Sequence, residues 1–277
     1  MRKRYFSLSF LLLVGILFLA ACPSTFPAPK NLIRSPLKMR EAIKARSETL
    51  DSVRLKEVIL EYFGKGERIK IRQLILVKKP TMLRVQTRVP GSEEILSLLV
   101  SDGKKFAMHR RDTNVYFHGE SSPQNIGMLL PVNLSAADLV RVLFGGAPWD
   151  RFDGYSSNEA ELEWDTKVGK YVYKKSDALG EKSLEMFIRP TDYAVVEVHE
   201  KNKKGEIVYS YQTDDWEPTQ GSKLTLPTFI RFVWPDRELD FSLTLRETQT
   251  NVDLPDILFE LEPPGGSQVV NVDTQTQ

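Results

Sequence analysis

Apolar and polar residues alternate along most of this chain with a period of two, and this alternation limits the possible fold more than any other feature. Ile69, Ile71 and Ile75 share one face of an extended segment, and Arg68 and Lys70 lie on the other. Because successive side chains of a β-strand point to opposite faces, the pattern predicts strands with one apolar and one solvated face. It recurs near residues 83–89, 95–100, 106–109, 162–164, 171–173, 184–188, 207–211, 224–226, 230–234 and 239–245.

Two segments have helical spacing instead. Ser35 and Pro36 are typical of an N-cap followed by a first helical position, and Leu37, Ile43 and Leu50 follow among charged residues. This pattern predicts an early amphipathic helix of about three or four turns.

The second helical segment lies mid-chain. Leu139, Val142 and Leu143 follow Ser135 at helical spacing, and the segment stops at Gly145. Ten or eleven antiparallel strands, an early helix and a mid-chain helical insert predict one long, curved antiparallel sheet wrapped around helices.

The first 21 residues have the features of a secretory signal. Residues 2–4 are all basic, and the chain is then apolar from Phe10 to Ala21 apart from Gly15. This apolar run is shorter than the roughly 20 residues of a spanning helix, and prolines follow it at once. Residues 1–21 are therefore predicted to be removed.

Leu19-Ala20-Ala21-Cys22 matches the bacterial lipobox. The match implies cleavage before Cys22, a diacylglycerol on its thiol and acylation of the new amine. Two or three acyl chains are needed for durable anchoring, because a single chain binds a bilayer only marginally. An ordinary secretory signal with a chance cysteine, or an uncleaved anchor, is the alternative. Pro23 stands where an aspartate would signal inner-membrane retention in enteric bacteria, and this favours the outer membrane.

Composition excludes several classes of protein. Cys22 is the only cysteine, so an acylated chain has none left for a disulfide, a thiolate metal site or a nucleophile. Of 38 basic residues three lie in the signal, and the remaining 35 face 37 acidic ones, so no basic field favours nucleic acid. We divide the chain into a flexible tether at 22–33, one domain at 34–266 and a polar tail at 267–277.

No pattern of catalytic residues is evident. His109, His118 and His199 lack the close spacing of a metal motif, and no glycine-flanked serine forms a nucleophile elbow. Adjacent carboxylates such as Asp214 and Asp215 would point to opposite faces of a strand. The sequence therefore predicts a protein that is not an enzyme, although a dispersed active site remains an alternative.

Three short motifs resemble a known family. Lys79 and Pro80 precede an apolar strand that contains Arg84, and Asp102 and Gly103 form a Ser-Asp-Gly turn after a short strand. The segment at residues 254–266 looks like a closing strand that ends in Pro-Pro-Gly-Gly. In this order the motifs resemble those of the outer-membrane lipoprotein carriers, the LolA/LolB-like superfamily, and the lipobox makes the chain most similar to the lipid-anchored LolB-like branch.

The resemblance implies an incomplete antiparallel β-barrel closed by helices around an apolar cavity. It also implies binding of lipids or lipoprotein acyl chains at the periplasmic face of the outer membrane, with a periplasmic carrier protein as a partner. One departure is Lys79, which stands where the soluble carrier often has arginine, so the same release mechanism does not follow.

The inward faces of the predicted strands and helices supply the residues of such a cavity. A filled core is an equally good interpretation of the same pattern, because periodicity identifies the inward face and not whether it is full. We expect a monomer whose only bound groups are its covalent lipid and an acyl chain. Two hypotheses follow for its function. One is a carrier or acceptor of lipid, and the other is a non-enzymatic assembly or sensor lipoprotein that grips a protein partner. The residues predicted to line the cavity are Ile71, Ile75, Leu83, Val85, Phe106, Met108, Leu139 and Leu143.

Overall fold

A computed structural model describes residues 25–64, 66–89, 91–127, 134–155, 160–219 and 224–275. Within these ranges the chain forms one sheet of fourteen strands, four α-helices and three short 3-10 helices. None of the helices in these ranges is both long enough and apolar enough to cross a membrane.

The helices are few and short compared with the strands. They are α1 (Pro36–Ser47), α2 (Pro123–Gly127), α3 (Ala136–Leu143) and α4 (Trp149–Asp153). The strands are β1 (Ser52–Gly64), β2 (Glu67–Lys78), β3 (Met82–Arg88), β4 (Ile95–Ser101), β5 (Lys105–Arg110), β6 (Val115–Glu120), β7 (Glu161–Asp165), β8 (Lys170–Ser176), β9 (Lys182–Ile188), β10 (Val195–Asn202), β11 (Ile207–Pro218), β12 (Thr225–Trp234), β13 (Leu239–Thr250) and β14 (Gln268–Asn271).

Two antiparallel meanders make up the sheet. The strand order is β14-β6-β5-β4-β3-β2-β1-β13-β12-β11-β10-β9-β8-β7, so β1 to β6 form one half and β7 to β13 the other. The halves join where β1 pairs with β13, from Val53 opposite Thr250 to Gly64 opposite Leu239. Since β7 and β14 are the two edges of this order, the sheet is curved but unclosed, as the predicted incomplete barrel requires.

Successive turns of an antiparallel meander lie at opposite ends of the sheet. We call the end with the turns at residues 79–81, 102–104 and 166–169 the helix end, because α1 and α3 are attached there. The opposite end carries the turns at residues 177–181, 203–206 and 235–238, and we call it the hairpin end.

One apolar cluster lies on the concave side of the sheet. It combines Met39 and Ile43 of α1 with α3 and with residues from both meanders. Tyr211 and Phe232 are each 1% exposed or less and pack with their rings tilted at 5.6 Å between centroids. Burial of apolar surface is the main favourable contribution to folding, and each Å² removed from water contributes about 25 cal/mol.

Both helical predictions are confirmed at their starts. The Ser35 hydroxyl accepts a hydrogen bond from the Lys38 amide at the start of α1, and the Ser135 hydroxyl accepts one from the Asp138 amide at the start of α3. Ile43 and Leu50 are buried as predicted, although Leu50 follows the end of α1, and the buried face of α1 differs from the predicted one at Leu37. Leu37 is 66% exposed, and Met39, Ile43 and Arg46 face the core.

The number of strands exceeds the ten or eleven predicted. The strands without a predicted counterpart are β1, β6, β10 and β14. In β1 the register shifts between Leu55 and Val58, and in β10 it shifts between Val195 and Glu197. A bulge puts two residues of one strand opposite one of its partner, so the apolar alternation changes phase and the sequence pattern is lost.

The closing strand expected at residues 254–266 is wrong, because this segment forms a 3-10 helix at Asp256–Phe259 and crosses the solvated face of the sheet before the chain pairs. Leu254 and Phe259 form a small second cluster with Leu76 of β2, and the Leu261 carbonyl accepts from the Tyr116 hydroxyl of β6 at 2.7 Å. The chain then enters β14, which runs parallel to β6. This strand lies inside residues 267–277, so the structure joins part of the polar tail to the sheet.

Candidate functional site

A pocket of about 440 Å³ opens at the helix end, between α1, α3 and the turn that joins β2 to β3. We call it the helix pocket. Three segments far apart in sequence meet there because α1 and α3 both pack on the start of the β2–β3 turn. The pocket is lined by Arg40, Glu41, Ile43, Lys44, Ser47, Lys79, Pro80, Thr81, Val140, Arg141, Phe144, Gly146, Ala147 and Trp149.

The inner wall of the helix pocket is apolar. Ile43, Val140, Phe144 and Ala147 line it, and each is also a member of the main core cluster. The pocket is therefore continuous with the hydrophobic interior and is open to solvent on its other side. Such a wall can bind hydrocarbon but offers no polar group for a chemical step.

Arg40 and Trp149 form one side of the rim. The Arg40 guanidinium lies 4.2 Å from the centre of the Trp149 ring and makes two hydrogen bonds with Asp153, at 2.7 and 3.0 Å. The Asp153 carboxylate raises the pKa of Arg40, so this cation stays charged. The Trp149 ring also packs edge-on against Tyr173 at 5.8 Å, which fixes its position at the mouth.

Lys79 forms the opposite side of the rim. Its ammonium donates a hydrogen bond to the Ser47 carbonyl at the end of α1 and lies 5.6 Å from the Phe144 ring centre. Burial lowers the pKa of Lys79, with the charges of Asp51 and Glu48 acting in the opposite direction. One side chain therefore connects the β2–β3 turn to both helices.

Arg141 is the third cation of the rim and pairs with one buried and one exposed carboxylate. Its Nη1 donates to Asp138 at 2.6 Å and to Asp150 at 2.8 Å. Burial, together with the charge of Asp150, raises the pKa of Asp138 to about 6. Lys44 is exposed at the mouth and makes no ion pair with any residue that the structure describes.

The motif residues occupy two connected turns and one strand. Lys79 and Pro80 line the helix pocket. The Asp102 carboxylate accepts hydrogen bonds from the Lys104 and Lys105 amides of its own turn, and its carbonyl accepts from the hydroxyl of Thr81 at 2.7 Å. Gly103 has a φ of +92° and packs against the same threonine. Arg84 lies apart from the pocket and donates to the Leu258 carbonyl of the C-terminal segment at 2.7 Å.

The eight residues predicted to line a cavity all belong to the concave side. Seven are buried members of the main cluster, and Ile71 is partly buried against it. The helix pocket is lined by other residues, although Leu139 and Leu143 are on the same helix as its Val140 wall. The assignment of these eight residues to a cavity stays a prediction.

The remaining predicted site residue, Cys22, lies outside the described residues. Among the described residues, no cluster of three or more histidine, cysteine or carboxylate side chains is arranged to hold a metal ion. His109 bonds to Asn114 at 3.1 Å, and His199 bonds to Glu197 at 2.6 Å, where it lowers the pKa of that carboxyl group.

Sequence reasoning missed most of the helix pocket. Of the residues that line the pocket, Lys79 and Pro80 belong to a sequence motif, whereas Arg40, Phe144 and Trp149 belong to none. The one available signal was Trp149 itself, a large aromatic residue that follows Pro148 at the start of a short helix. Large aromatic side chains in such places are often part of binding surfaces.

Comparison with known proteins finds similar structures but no matching family model or curated sequence. A DUF1329 family protein from Desulfovibrio piger superposes with a TM-score of 0.60 at 13% identity, over 82% of this chain and 98% of that one. A LolA superfamily protein from Nitrosomonas europaea superposes with a TM-score of 0.56 at 12% identity, over 83% and 99%.

A third similar structure is a domain from Vibrio parahaemolyticus described as an outer membrane lipoprotein-sorting protein. Its TM-score is 0.54 at 12% identity, over 81% of this chain and 95% of that one. The open antiparallel sheet and its helix end thus define a class of mainly β half-barrels. Within that class the chain has the LolA/LolB-like fold.

Proposed function

We propose that this protein binds the acyl chain of a lipid or a lipoprotein in the helix pocket and acts as a carrier or acceptor in the bacterial envelope. The observation that supports the proposal is an apolar wall, continuous with the core, beneath a rim where Lys44 is exposed and makes no ion pair with a described residue, while Arg40 and Arg141 are paired with carboxylates. This combination suits an amphiphile whose tail is apolar and whose polar end is anionic.

The size of the pocket is compatible with such a ligand. Its volume of about 440 Å³ lies within the roughly 300–1,000 Å³ of pockets that bind small molecules. Each methylene that leaves water contributes about 0.8 kcal/mol, so even a partly inserted chain gains several kcal/mol. Membrane lipid offers nearly the same environment to the tail, and transfer is therefore close to balanced and needs a partner or a sink to give it direction.

The proposed location is the periplasmic face of the outer membrane, with the chain anchored through Cys22. Similar structures include one described as an outer membrane lipoprotein-sorting protein, and the lipobox of this sequence supports the anchor. A periplasmic carrier protein that delivers the acyl chain is the proposed partner, and the role needs no catalysis and no cofactor besides the lipid itself.

A second function is favoured by the packing of the concave side. Ile75, Leu83, Val85 and Phe106 are each 3% exposed or less inside one apolar cluster. A half-barrel filled in this way can serve as a rigid, lipid-anchored scaffold that binds a protein partner. Under this alternative the helix pocket would hold a side chain of that partner and no lipid.

Tryptophan quenching by a lysophospholipid with a brominated acyl chain tests the first function. The described fold lies within residues 25–275, so a chain that begins at Thr25 is suitable and avoids the anchor. We expect saturable quenching that falls by more than half in Trp149→Phe. Trp164→Phe is the matched control, because Trp164 also packs edge-on against a tyrosine, at 5.3 Å, but lies on β7.

The outcomes separate the alternatives. If quenching persists in Trp149→Phe and is lost in Trp234→Phe, the acyl chain binds in the interior and not in the helix pocket, because Trp234 packs against Phe241 in the interior. If there is no saturable quenching, and if mass spectrometry of the purified chain finds no bound lipid, the scaffold function remains and lipid binding is rejected.

A further inference from the structure

The first described residues are attached to the sheet at its helix end. The Phe26 amide donates to the Thr166 carbonyl at 2.7 Å, and the Trp164 indole donates to the Phe26 carbonyl at 3.1 Å. The Phe26 ring packs on Gly169, where a larger side chain would collide with it. Residues 22–33 are predicted as a flexible tether, and within them this contact fixes Phe26 on the β7–β8 turn.

The same region carries a concentration of positive charge. Residues 25–40 contain four basic side chains and no acidic one. Lys30, Arg34 and Lys38 are exposed, and so is Lys167 on the β7–β8 turn. None of these four makes an ion pair with a residue in the described part of the chain, whereas exposed cations such as Arg68, Lys70 and Lys203 do.

Exposed apolar side chains lie beside these cations. Phe26 is 51% exposed and Val168 is 44% exposed, and they are neighbours through the contact of Phe26 with Gly169. Leu37, at the start of α1, is 66% exposed. Basic residues interspersed with apolar ones are typical of protein surfaces that lie in the headgroup region of a membrane.

The length of chain before this surface points to the same partner. Only four peptide steps separate Cys22, the predicted lipid-bearing residue, from Phe26. An extended chain covers at most about 3.6 Å per residue, so Phe26 would lie within roughly 14 Å of the lipid attachment. A tether that short cannot let the domain turn freely relative to the bilayer.

We propose that the N-terminal surface, formed by Phe26, Lys30, Arg34, Leu37, Lys38, Lys167 and Val168, lies against a bilayer that contains anionic phospholipid. The helix end of the sheet then faces the membrane, and the hairpin end points away from it. The helix pocket opens at the membrane-facing end, so an acyl chain could pass between bilayer and pocket without crossing the periplasm.

Depth measurements on the full, lipidated protein in vesicles of phosphatidylcholine and phosphatidylglycerol test this orientation. The acylated Cys22 leaves no free thiol, so one introduced cysteine can carry a fluorophore. Val168→Cys and Leu179→Cys form a matched pair, because both are exposed apolar residues on the turns at either end of β8, roughly 20 Å apart. A headgroup-attached quencher should reduce the fluorescence at position 168 at least threefold more than at position 179.

A charge reversal tests the electrostatic part without the anchor. Lys167→Glu and Lys204→Glu replace exposed turn lysines at opposite ends of the sheet, in a chain that begins at Thr25. A cation near an anionic surface contributes about fivefold in affinity, so Lys167→Glu should weaken binding to phosphatidylglycerol vesicles by fivefold or more, and Lys204→Glu should not. Equal quenching at positions 168 and 179, or equal effects of the two lysine variants, would overturn the proposal. Neither result would change the quenching at Trp149, so acyl binding stands or falls separately.

Discussion

Asp138 is a buried carboxylate, with 1% of its surface exposed. Its Oδ1 accepts hydrogen bonds from Arg141 at 2.6 Å and from the Asp150 amide at 3.1 Å, and its Oδ2 accepts from the Arg151 amide at 2.9 Å. These partners favour the ionised form, and burial and the Asp150 charge oppose it more strongly. The side chain thus links the start of α4 to α3 while carrying a raised pKa.

We predict that Asp138 makes the protein less stable as pH rises from about 4 to 7. Its pKa is raised from 3.8 to about 6, so the native state binds the proton more tightly than the unfolded state does. The stabilisation from this group is complete below pH 4 and is lost as pH passes 6, with an upper limit of about 3 kcal/mol. Urea denaturation at pH 4.5 and pH 7 measures it, and the difference between the two pH values should shrink in Asp138→Asn.

A control for the carboxyl prediction is Asp112→Asn at the exposed β5–β6 turn. The neighbouring Arg110 lowers the pKa of Asp112, so this group changes stability in the opposite direction and below pH 4. An equal change in the pH dependence of both variants would contradict the role given to Asp138.

Gly103 is a position where a turn excludes any side chain. Its φ is +92°, and an added Cβ would collide with Thr81, whose hydroxyl is bonded to the Asp102 carbonyl. We predict that Gly103→Ala lowers the free energy of unfolding by about 2–4 kcal/mol, from backbone strain and overpacking together. Gly205→Ala isolates the strain, because Gly205 has a φ of +79° and open space around it. Its cost, measured by urea denaturation, should be about 1 kcal/mol, and equal costs would show that the contact with Thr81 is unimportant.

At the scale of elements, α1 is attached through Arg46. Its side chain is 1% exposed, and it donates to the Phe144 carbonyl at 2.9 Å, to the Thr225 carbonyl and to Asp192 at 3.2 Å. Burial lowers the pKa of Arg46, and the Asp192 charge partly restores it. One guanidinium therefore connects α1, the residue after α3 and the start of β12.

We predict that Arg46→Ala destabilises the protein by about 3–5 kcal/mol, because it leaves buried carbonyls and a carboxylate without their partner. Arg40→Ala, on the same helix, removes a partly exposed ion pair and should cost less than about 1 kcal/mol. Urea denaturation gives both values. Hydrogen exchange of the α1 amides should accelerate in the first variant and barely change in the second, and comparable effects would contradict the anchoring role.

The elements that the sequence predicted are those whose alternation is unbroken. β3 and β13 follow the predicted pattern, and β2 follows it only from Ile71 onward, because Ile69 is 43% exposed. β1 does not follow it, because Lys56 and Glu57 occupy the bulge where its apolar phase changes. β14 has only four residues, too few for a period to be recognised. Local pattern therefore predicts regular strands, and it fails where the pairing partner imposes an irregularity.

At the scale of the molecule, the motifs supported the fold but not the site. An open sheet with helices follows from the periodicities and from the turns at Pro80 and Gly103. The helix pocket depends on how α1, the β2–β3 turn and α3 meet, and these segments are about 35 to 105 residues apart in sequence. Such a meeting depends on sheet curvature and on buried contacts such as that of Arg46, which leave no periodic signal.

The C-terminal segment protects one edge of the sheet. β14 covers β6, Asn114 bonds to the Gly266 carbonyl at 2.9 Å, and Asp273 accepts from the Asn125 side chain at 2.7 Å. An uncovered strand edge presents unpaired amides and carbonyls that can pair with another chain. Loss of this segment should therefore affect association as well as stability.

We predict that a chain from Thr25 to Glu262 melts about 5–10 °C lower than one from Thr25 to Gln275, since it loses contacts that contribute about 2–3 kcal/mol. It keeps Leu254 and Phe259 on the sheet, but it removes Val272 from the main core cluster and exposes the edge of β6. Light scattering after gel filtration should show the longer chain as a monomer and the shorter one as dimers or larger species that increase with concentration. Lys substitutions on β6 that block strand pairing should restore the monomer. If the short chain stays monomeric at high concentration, β14 stabilises the fold but does not prevent association through the edge of β6.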